Sequence, residues 1–191
     1  MAIDRAEMVL QAIREASKED FLPIIDYSAP GKGQLLEELV RKKKPKRALE
    51  IGTLVGYSAI KIIRNLRANG ELVTMEVDPA NAKTAQRNLE KAGMEGKATV
   101  VEGDAIGNIP KLTGKFDFVF IDAAKEDYLN YLLLLEKHGL LGKKATILAD
   151  NVKMFKAEMS DYLDYVRNSG RYKSSYHDFG EDAMEVSESV Q

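Results

Sequence analysis

Several short stretches of this chain end in side chains that can handle charge: Glu50-Ile51-Gly52, Glu76-Val77-Asp78, Gly103-Asp104, Ile121-Asp122 and Ala149-Asp150-Asn151. A lone acid of this kind caps a helix or sits in a solvated loop. A row of acids on one edge is costly unless a cation lies among them. Asp122, Asp150 and Asn151 offer hard oxygen donors and leave room for water and a substrate, a set that suits Mg²⁺. The competing reading makes Asp150 and Asn151 the cap of a following helix. Lys125 stands three residues after Asp122, so its amine can reach back over that site and serve as a base. The plainer alternative is a surface lysine paired with a neighbour such as Glu126.

These residues need a frame that brings them together, and the pattern supplies one. From residue 47 onward strand and helix signals alternate. Strands are expected at 47–51, 71–77, 97–102, 116–121 and 145–149. Helices are expected at 56–66, from Pro79 to about Gly93, 125–137 and 155–168, with a short turn or helix at 104–112. Phe116 to Ile121 is almost wholly apolar, as a central parallel strand should be. Alternating β and α elements argue for an α/β fold: a doubly wound, mostly parallel sheet with helices on both faces. After Gly170 the alternation stops, and segments 172–179 and 183–186 read as a C-terminal antiparallel hairpin. Residues 1–45 read as two helices, an N-terminal lid or side layer on the sheet core of 46–191. The whole of 1–191 is read as a single domain.

Ligands of such sheets sit at the carboxyl ends of the strands, where every acid named above falls. Glu76 ends the second strand, a place where acids take ribose hydroxyls. The turn Gly52-Thr53-Leu54-Val55-Gly56 lets a ligand approach the backbone, but it is not GxGxxG, and no glycine loop runs into Lys-Ser or Lys-Thr. That disfavours a phosphate-bearing ligand and a nicotinamide dehydrogenase. A nucleoside without phosphate and with a positive charge fits the acidic row, and S-adenosylmethionine is such a ligand.

Composition excludes other classes. The chain has 191 residues, 45% hydrophobic and 30% charged, with no cysteine and a net charge of −2. No disulfide framework, zinc-thiolate site or cysteine nucleophile is available. The longest apolar runs, such as Leu132-Leu133-Leu134-Leu135, fall far short of the ~20 residues of a spanning helix, so no membrane partner is expected. Met1-Ala2-Ile3-Asp4-Arg5-Ala6-Glu7 lacks the basic and then apolar order of a signal peptide, and a cytoplasmic protein is expected. The basic run Arg41-Lys42-Lys43-Lys44-Pro45-Lys46-Arg47 could be a nucleic-acid footprint. Without interleaved aromatics it reads instead as the solvated C-terminus of a helix over 33–44, and no nucleic-acid partner is expected. His138 reads as a helix-end residue, His177 as a strand residue and Met159 as core. Met154 is a candidate pocket residue.

The order of three motifs adds a resemblance. Glu50-Ile51-Gly52-Thr53-Leu54-Val55-Gly56-Tyr57-Ser58 resembles the E-x-G-x-x-x-G-Y-S signature of class I S-adenosylmethionine-dependent O-methyltransferases, in the metal-dependent branch that includes catechol and caffeoyl-CoA O-methyltransferases. Phe120-Ile121-Asp122-Ala123-Ala124-Lys125-Glu126-Asp127-Tyr128 and Leu148-Ala149-Asp150-Asn151-Val152 are similar to two further motifs of that branch. The match runs from about Gly31 to Phe179. It implies that Glu50 and Gly52 line the methionine side of the cofactor, that Ser58 meets its carboxylate and that Glu76 holds its ribose. Asp104 and Ala105 would border adenine. Asp122, Asp150 and Asn151 would hold Mg²⁺, Asp122 also facing the cofactor, with Lys125 as general base. Asp178 falls where the catechol enzymes place a substrate-binding glutamate, beside an apparent insertion at 180–183. Catechol members carry an aromatic residue between the metal-ligand aspartate and the lysine; Ala123-Ala124 stand there here, leaving Tyr27, Phe155 or Phe179 to supply a gate. The expected activity is Mg²⁺-dependent methylation of a small vicinal-dihydroxy phenol. Rival readings are an O-methyltransferase for a hydroxylated tRNA base, with residues 41–47 as the footprint, and a non-catalytic S-adenosylmethionine-binding protein. A homodimer is left open.

Overall fold

The computed structural model describes residues 4–27 and 29–190. Residues 1–3, on which the leader reading partly rests, lie outside the described residues. The elements run in this order: α1 (Arg5–Asp20), α2 (Lys32–Lys43), β1 (Arg47–Ile51), α3 (Tyr57–Asn65), β2 (Glu71–Glu76), α4 (Pro79–Lys91), β3 (Ala98–Glu102), α5 (Ala105–Asn108), β4 (Phe116–Ile121), α6 (Tyr128–Lys137), β5 (Leu141–Ala149), α7 (Ser160–Asn168), β6 (Tyr172–Asp178) and β7 (Ala183–Ser189).

The seven strands form one sheet in the order β3-β2-β1-β4-β5-β7-β6. β1 to β5 are parallel, with Glu50 beside Phe120 and Ile121 beside Ala149 in register. β7 runs antiparallel between β5 and β6. Helices cover both faces. Side chains alternate across each strand, so Phe118, Phe120 and Ala48 pack with α1 to α4, while Val119, Ile121 and Leu49 pack with α6 and α7. The N-terminal helices therefore lie on one face of the sheet, with Leu10, Ile13, Leu36 and Val40 buried against the α3 residues Ile60 and Ile63.

Three segments depart from the sequence reading. The helix expected over 155–168 forms only from Ser160; residues 152–159 make successive turns. Helix-like bonds survive there, from Phe155 N to Asn151 O and from Met159 N to Phe155 O. Asn151, however, takes a left-handed φ of 62°, and Val152 N bonds across to Ala183 O, so the chain is held at β7 before the helix can start. β5 begins at Leu141, four residues earlier than expected, because the exposed Lys143 and Lys144 interrupt its apolar pattern at a register shift opposite Phe116 and Phe118. The segment 125–137 opens as a 3₁₀ turn over Lys125–Asp127 before α6. Among the described residues no helix is long and apolar enough to cross a membrane.

Candidate active site

The carboxyl ends of β1, β2, β4 and β5 open into a cavity of about 700 Å³. Its floor begins at the β1 turn. Gly52 has φ +92°, and a Cβ there would lie 2.0 Å from the Asp122 carbonyl oxygen. Only glycine lets the ends of β1 and β4 meet this closely. Gly52 N and Thr53 N both donate to Met75 O of β2. Glu76 then closes the turn from the side: its Oε2 accepts Leu54 N at 2.7 Å and its Oε1 accepts Asp78 N at 3.0 Å. Each carboxylate oxygen retains a lone pair for a ligand. Asp104 caps α5 through Ile106 N and Gly107 N and also lines the cavity beside Ala105, so the helix-cap and ligand readings of this acid coexist.

Glu50 lies one layer beneath that floor and is fully buried. Thr74 Oγ1 donates to its Oε2 at 2.5 Å, while its Oε1 has no partner in full hydrogen-bond geometry, with the Ser58 and Thr53 hydroxyls beside the carboxyl. Burial pushes the Glu50 carboxyl up to about 7, against the hydroxyl hydrogen bonds that lower it, and the Asp122 charge adds to the rise. Ser58, in the first turn of α3, lines the cavity above it. An orphaned carboxylate oxygen under a helix N-terminus fits a ligand that carries both an ammonium and a carboxylate.

Asp122, Asp150 and Asn151 all line the same cavity. Asp150 is 1% exposed, and burial raises its pKa, with the Asp122 charge adding and Lys32 opposing. Neither Asp150 nor Asn151 caps a helix: α7 starts after Met159 with no side-chain cap. Among the described residues no group of three or more His, Cys, Asp or Glu side chains forms a metal cage. The donor set is two carboxylates and one amide oxygen, and such a partial shell of hard oxygens fits Mg²⁺. Lys125 Nζ reaches back to Asp122 Oδ1 at 2.8 Å and to the Tyr128 hydroxyl at 3.1 Å, and pairs with no neighbouring surface acid. Its ammonium also lies 5.8 Å from the centre of the Phe155 ring.

The structure does not bring Asp178 to the cavity. It ends β6 on the surface, where it accepts two bonds from Lys153 Nζ at 3.1 Å and one from Gly180 N at 2.7 Å. β6 is the outermost strand, with β7 between it and β5, so its end lies away from the cavity. Of the aromatic candidates, Tyr27 and Phe155 line the cavity, and Phe179 packs beside Gly31 instead. Met154 is on the wall and Met159 is core. His138 ends α6, and His177 stands in β6 within 3.1 Å of the Ser175 hydroxyl.

The roof was expected only as a lid within residues 1–45 with Tyr27 as a candidate gate, and its other residues were not named. Pro23, Ile24, Ile25 and Tyr27 cover the cavity from the α1–α2 connection. Tyr57 anchors that segment: its hydroxyl accepts from Arg14 Nε at 2.9 Å and donates to Asp26 Oδ2 at 3.3 Å. Asp26 Oδ1 in turn accepts Gly33 N at 2.8 Å. Also missed was Lys32, buried behind Asp150; the only hint in the sequence is a lysine between two glycines, Gly31 and Gly33.

Comparison with known proteins gives a consistent picture. A model of the O-methyltransferase family matches residues 2–170. The chain is 40% identical over 150 residues to catechol O-methyltransferase of Bos taurus, covering 76% of this chain and 54% of that protein. It is 39% identical to catechol O-methyltransferase of Sus scrofa, covering 76% of this chain and 80% of that protein. The chain thus spans about half the length of the bovine relative. The O-methyltransferase from Bacillus cereus, solved in complex with SAH, superposes with a TM-score of 0.82 at 26% identity, covering 99% of this chain and 92% of that one.

Proposed function

Because the chain belongs to the O-methyltransferase family, we propose that it moves a methyl group from S-adenosylmethionine to one hydroxyl of a catechol-type, vicinal-dihydroxy phenol, with Mg²⁺ as the required cation. The observation that carries this reading is the meeting of two half-sites in one cavity: the Gly52, Ser58 and Glu76 floor on one side, and Asp122, Asp150, Asn151 and Lys125 on the other.

On the floor side, Glu76 takes the two ribose hydroxyls with its remaining lone pairs. The Ser58 end of α3 faces the amino-acid carboxylate, with the Glu50 charge below to balance the ammonium. S-adenosylmethionine, when bound, supplies an electrophilic methyl on a sulfonium. On the other side, Asp122, Asp150 and Asn151 hold Mg²⁺, which supplies a Lewis acid that lowers the pKa of a phenolic hydroxyl. Lys125 Nζ, in its neutral form, would take the proton from that hydroxyl as the oxygen bonds the methyl carbon and the carbon–sulfur bond breaks with its electron pair on sulfur. Tyr27, Ile24, Ile25, Met154 and Phe155 give the substrate an apolar surround and keep water out. Fixing both reactants in this way is worth up to ~7–11 kcal/mol of the barrier. With alanines at positions 123 and 124, the aromatic wall comes from Phe155 and Tyr27, and the pocket takes phenols of varied ring substituents.

The test is methyl transfer from labelled S-adenosylmethionine to a panel of catechols, caffeoyl esters and tRNA, with Mg²⁺ or with excess EDTA. Product on a catechol with Mg²⁺ and background transfer in EDTA are expected. Full transfer in EDTA would return Asp122 and Asp150 to purely structural roles. Transfer to tRNA alone would replace the substrate class.

A further inference from the structure

Lys32 is the least expected side chain of the interior. It is 0% exposed, and its Nζ lies 2.6 Å from Asp150 Oδ1 and 2.9 Å from Asp182 Oδ2. Asp182, also fully buried, is the first residue ahead of β7 and gathers donors from two further places. Its Oδ2 accepts Asn151 Nδ2 at 2.6 Å, and its Oδ1 accepts Met154 N at 3.1 Å. Three segments far apart in the chain, namely the start of α2, the loop after β5 and the start of β7, thus meet behind the proposed cation ligands.

The chemistry of an amide makes this contact directional. Asn151 has one end that donates and one that accepts, and a carboxylate partner can only accept. Asp182 therefore binds the nitrogen end of Asn151 and turns the oxygen end toward the cavity that Asn151 lines. A cation can use only the oxygen. Lys32 and Asn151 N both hold Asp150 by its Oδ1, which leaves Oδ2 for the cavity. The ammonium also lets two carboxylates share a dry space; without it their mutual repulsion and burial would be uncompensated.

We propose that Lys32 and Asp182 are positioning residues of the cation site: Asp182 fixes which end of the Asn151 amide faces the metal, and Lys32 holds Asp150 and Asp182 together so that it can. The inference rests on the cation-dependent reading above. It adds two residues that touch neither the cation nor the substrate but decide whether the ligand set presents oxygen.

The experiment measures Mn²⁺ binding directly, by paramagnetic resonance of the free ion, on the cofactor-free protein. Folding is checked by near-ultraviolet circular dichroism, and S-adenosylmethionine affinity by calorimetry. In Asp182→Asn the new amide has one oxygen for at least four donors, and it satisfies itself best by donating to the Asn151 oxygen, which turns the Asn151 nitrogen toward the cation. Mn²⁺ affinity should fall ~10-fold or more, the usual scale for a residue behind a metal ligand, with S-adenosylmethionine affinity within about twofold. The decisive variant is the exchange Asn151→Asp with Asp182→Asn. It keeps the net charge and the hydrogen bond but reverses the bond's direction, and it offers the cation a carboxylate oxygen whichever way residue 151 turns. Mn²⁺ affinity should return to within ~3-fold of the parent.

A folded Asp182→Asn that binds Mn²⁺ within twofold of the parent overturns the proposal. So does an exchange variant that binds no better than the single one, because it has regained an oxygen at position 151 and kept the hydrogen bond without regaining the cation. If Asp182→Asn does not fold, the exchange variant alone decides: binding within the stated range supports the proposal, and loss from a folded protein overturns it. Failure of the underlying reading looks different, because then the parent itself binds no Mn²⁺ and methyl transfer persists in chelator.

Discussion

Lys125 and Glu50 are the two residues whose chemistry the surroundings define most sharply. The amine of Lys125 is held 2.8 Å from Asp122 and 3.1 Å from the Tyr128 hydroxyl, at the mouth of the cation side. Lys125→Met keeps the stem and removes the amine. Turnover should fall by roughly 10²-fold or more, the scale of a positioned base, while calorimetry finds S-adenosylmethionine and Mg²⁺ affinities nearly unchanged. Glu50 gives a pH signature in the ligand-free protein. Its folded pKa is raised from 4.5 to about 7, chiefly by burial. The folded state therefore binds more protons than the unfolded state between those values, and stability falls as pH rises through that window, then levels off. The full linkage is about 3 kcal/mol at 1.36 kcal/mol per pKa unit. Asp150 shifts in the same direction, so the comparison must be with Glu50→Gln. That variant should lose the Glu50 share of the decline between pH 5 and pH 8 in urea titrations. A parallel decline in both proteins would place the proton elsewhere. The residue types and spacing placed Glu76, Asp122 and Lys125 at one edge of the sheet in advance, because each ends or follows a strand, and all three line the cavity. Lys32 and Asp182 were not, since their partners lie 150 residues apart in the chain and burial of a charged pair leaves no local pattern. Asp178 misled because the resemblance carries a position in the hairpin but does not say which hairpin strand lies at the sheet edge.

The strands and helices that hold these residues were readable to the extent that one local cause decided each. β4 is apolar on both faces and forms as expected over Phe116–Ile121. Pro79 opens α4 behind the Asp78 cap, whose Oδ1 accepts Ala80 N and Asn81 N. Where two causes compete the sequence misleads. Phe155, Met159, Leu163 and Val166 keep helical spacing, but the first two serve the cavity wall and the core from a run of turns tied to β7. The cavity roof carries no periodic signal at all, because Pro23 to Tyr27 is set by contacts from Arg14, Tyr57 and Gly33. At this scale the sharpest test is the close approach of the β1 and β4 ends. In Gly52→Ala the methyl would meet the Asp122 carbonyl at 2.0 Å from a backbone φ of +92°. The variant should lose at least ~2 kcal/mol, the sum expected for a left-handed alanine and a forced shift of neighbouring backbone. Urea midpoints with an unchanged slope would measure it. A variant within about 0.5 kcal/mol of the parent, the usual size of a surface effect, would mean that the two strand ends can part freely.

Across the whole molecule, charge is sorted along the strands. The cavity-lining acids lie at their carboxyl ends, and the basic run lies at the other end, where α2 stops at Lys43 and β1 starts at Arg47. Lys43 Nζ bonds the Lys144 carbonyl there, and Arg47 pairs with Glu71 at 2.7 Å and lies over the Phe116 ring at 4.5 Å. Part of the run is thus engaged in closing the base of the sheet, with Arg41, Lys42, Lys44 and Lys46 left exposed. β1 alone separates this base from the Gly52 turn, a span of roughly 16 Å at ~3.3 Å per residue. That is about two Debye lengths at physiological salt, each ~8 Å. The field of the exposed lysines is therefore weak at the cavity, and an RNA bound across them would have to turn round the edge of the sheet to place a base there. Neutralising Lys42, Lys44 and Lys46 together to glutamine should leave turnover on a catechol, and KM for S-adenosylmethionine, within about twofold at 0.15 M salt. Lowering the salt to 10 mM lengthens the Debye distance to about 30 Å. Under those conditions the neutralised protein should bind the cationic cofactor more tightly than the parent, because a distant positive field has been removed. Kinetics at the two salt concentrations measure both effects. A large rise in KM at 0.15 M, together with an RNA affinity in the parent that falls steeply with salt and flattens in the variant, would make the basic run a substrate footprint and the phenol a secondary substrate.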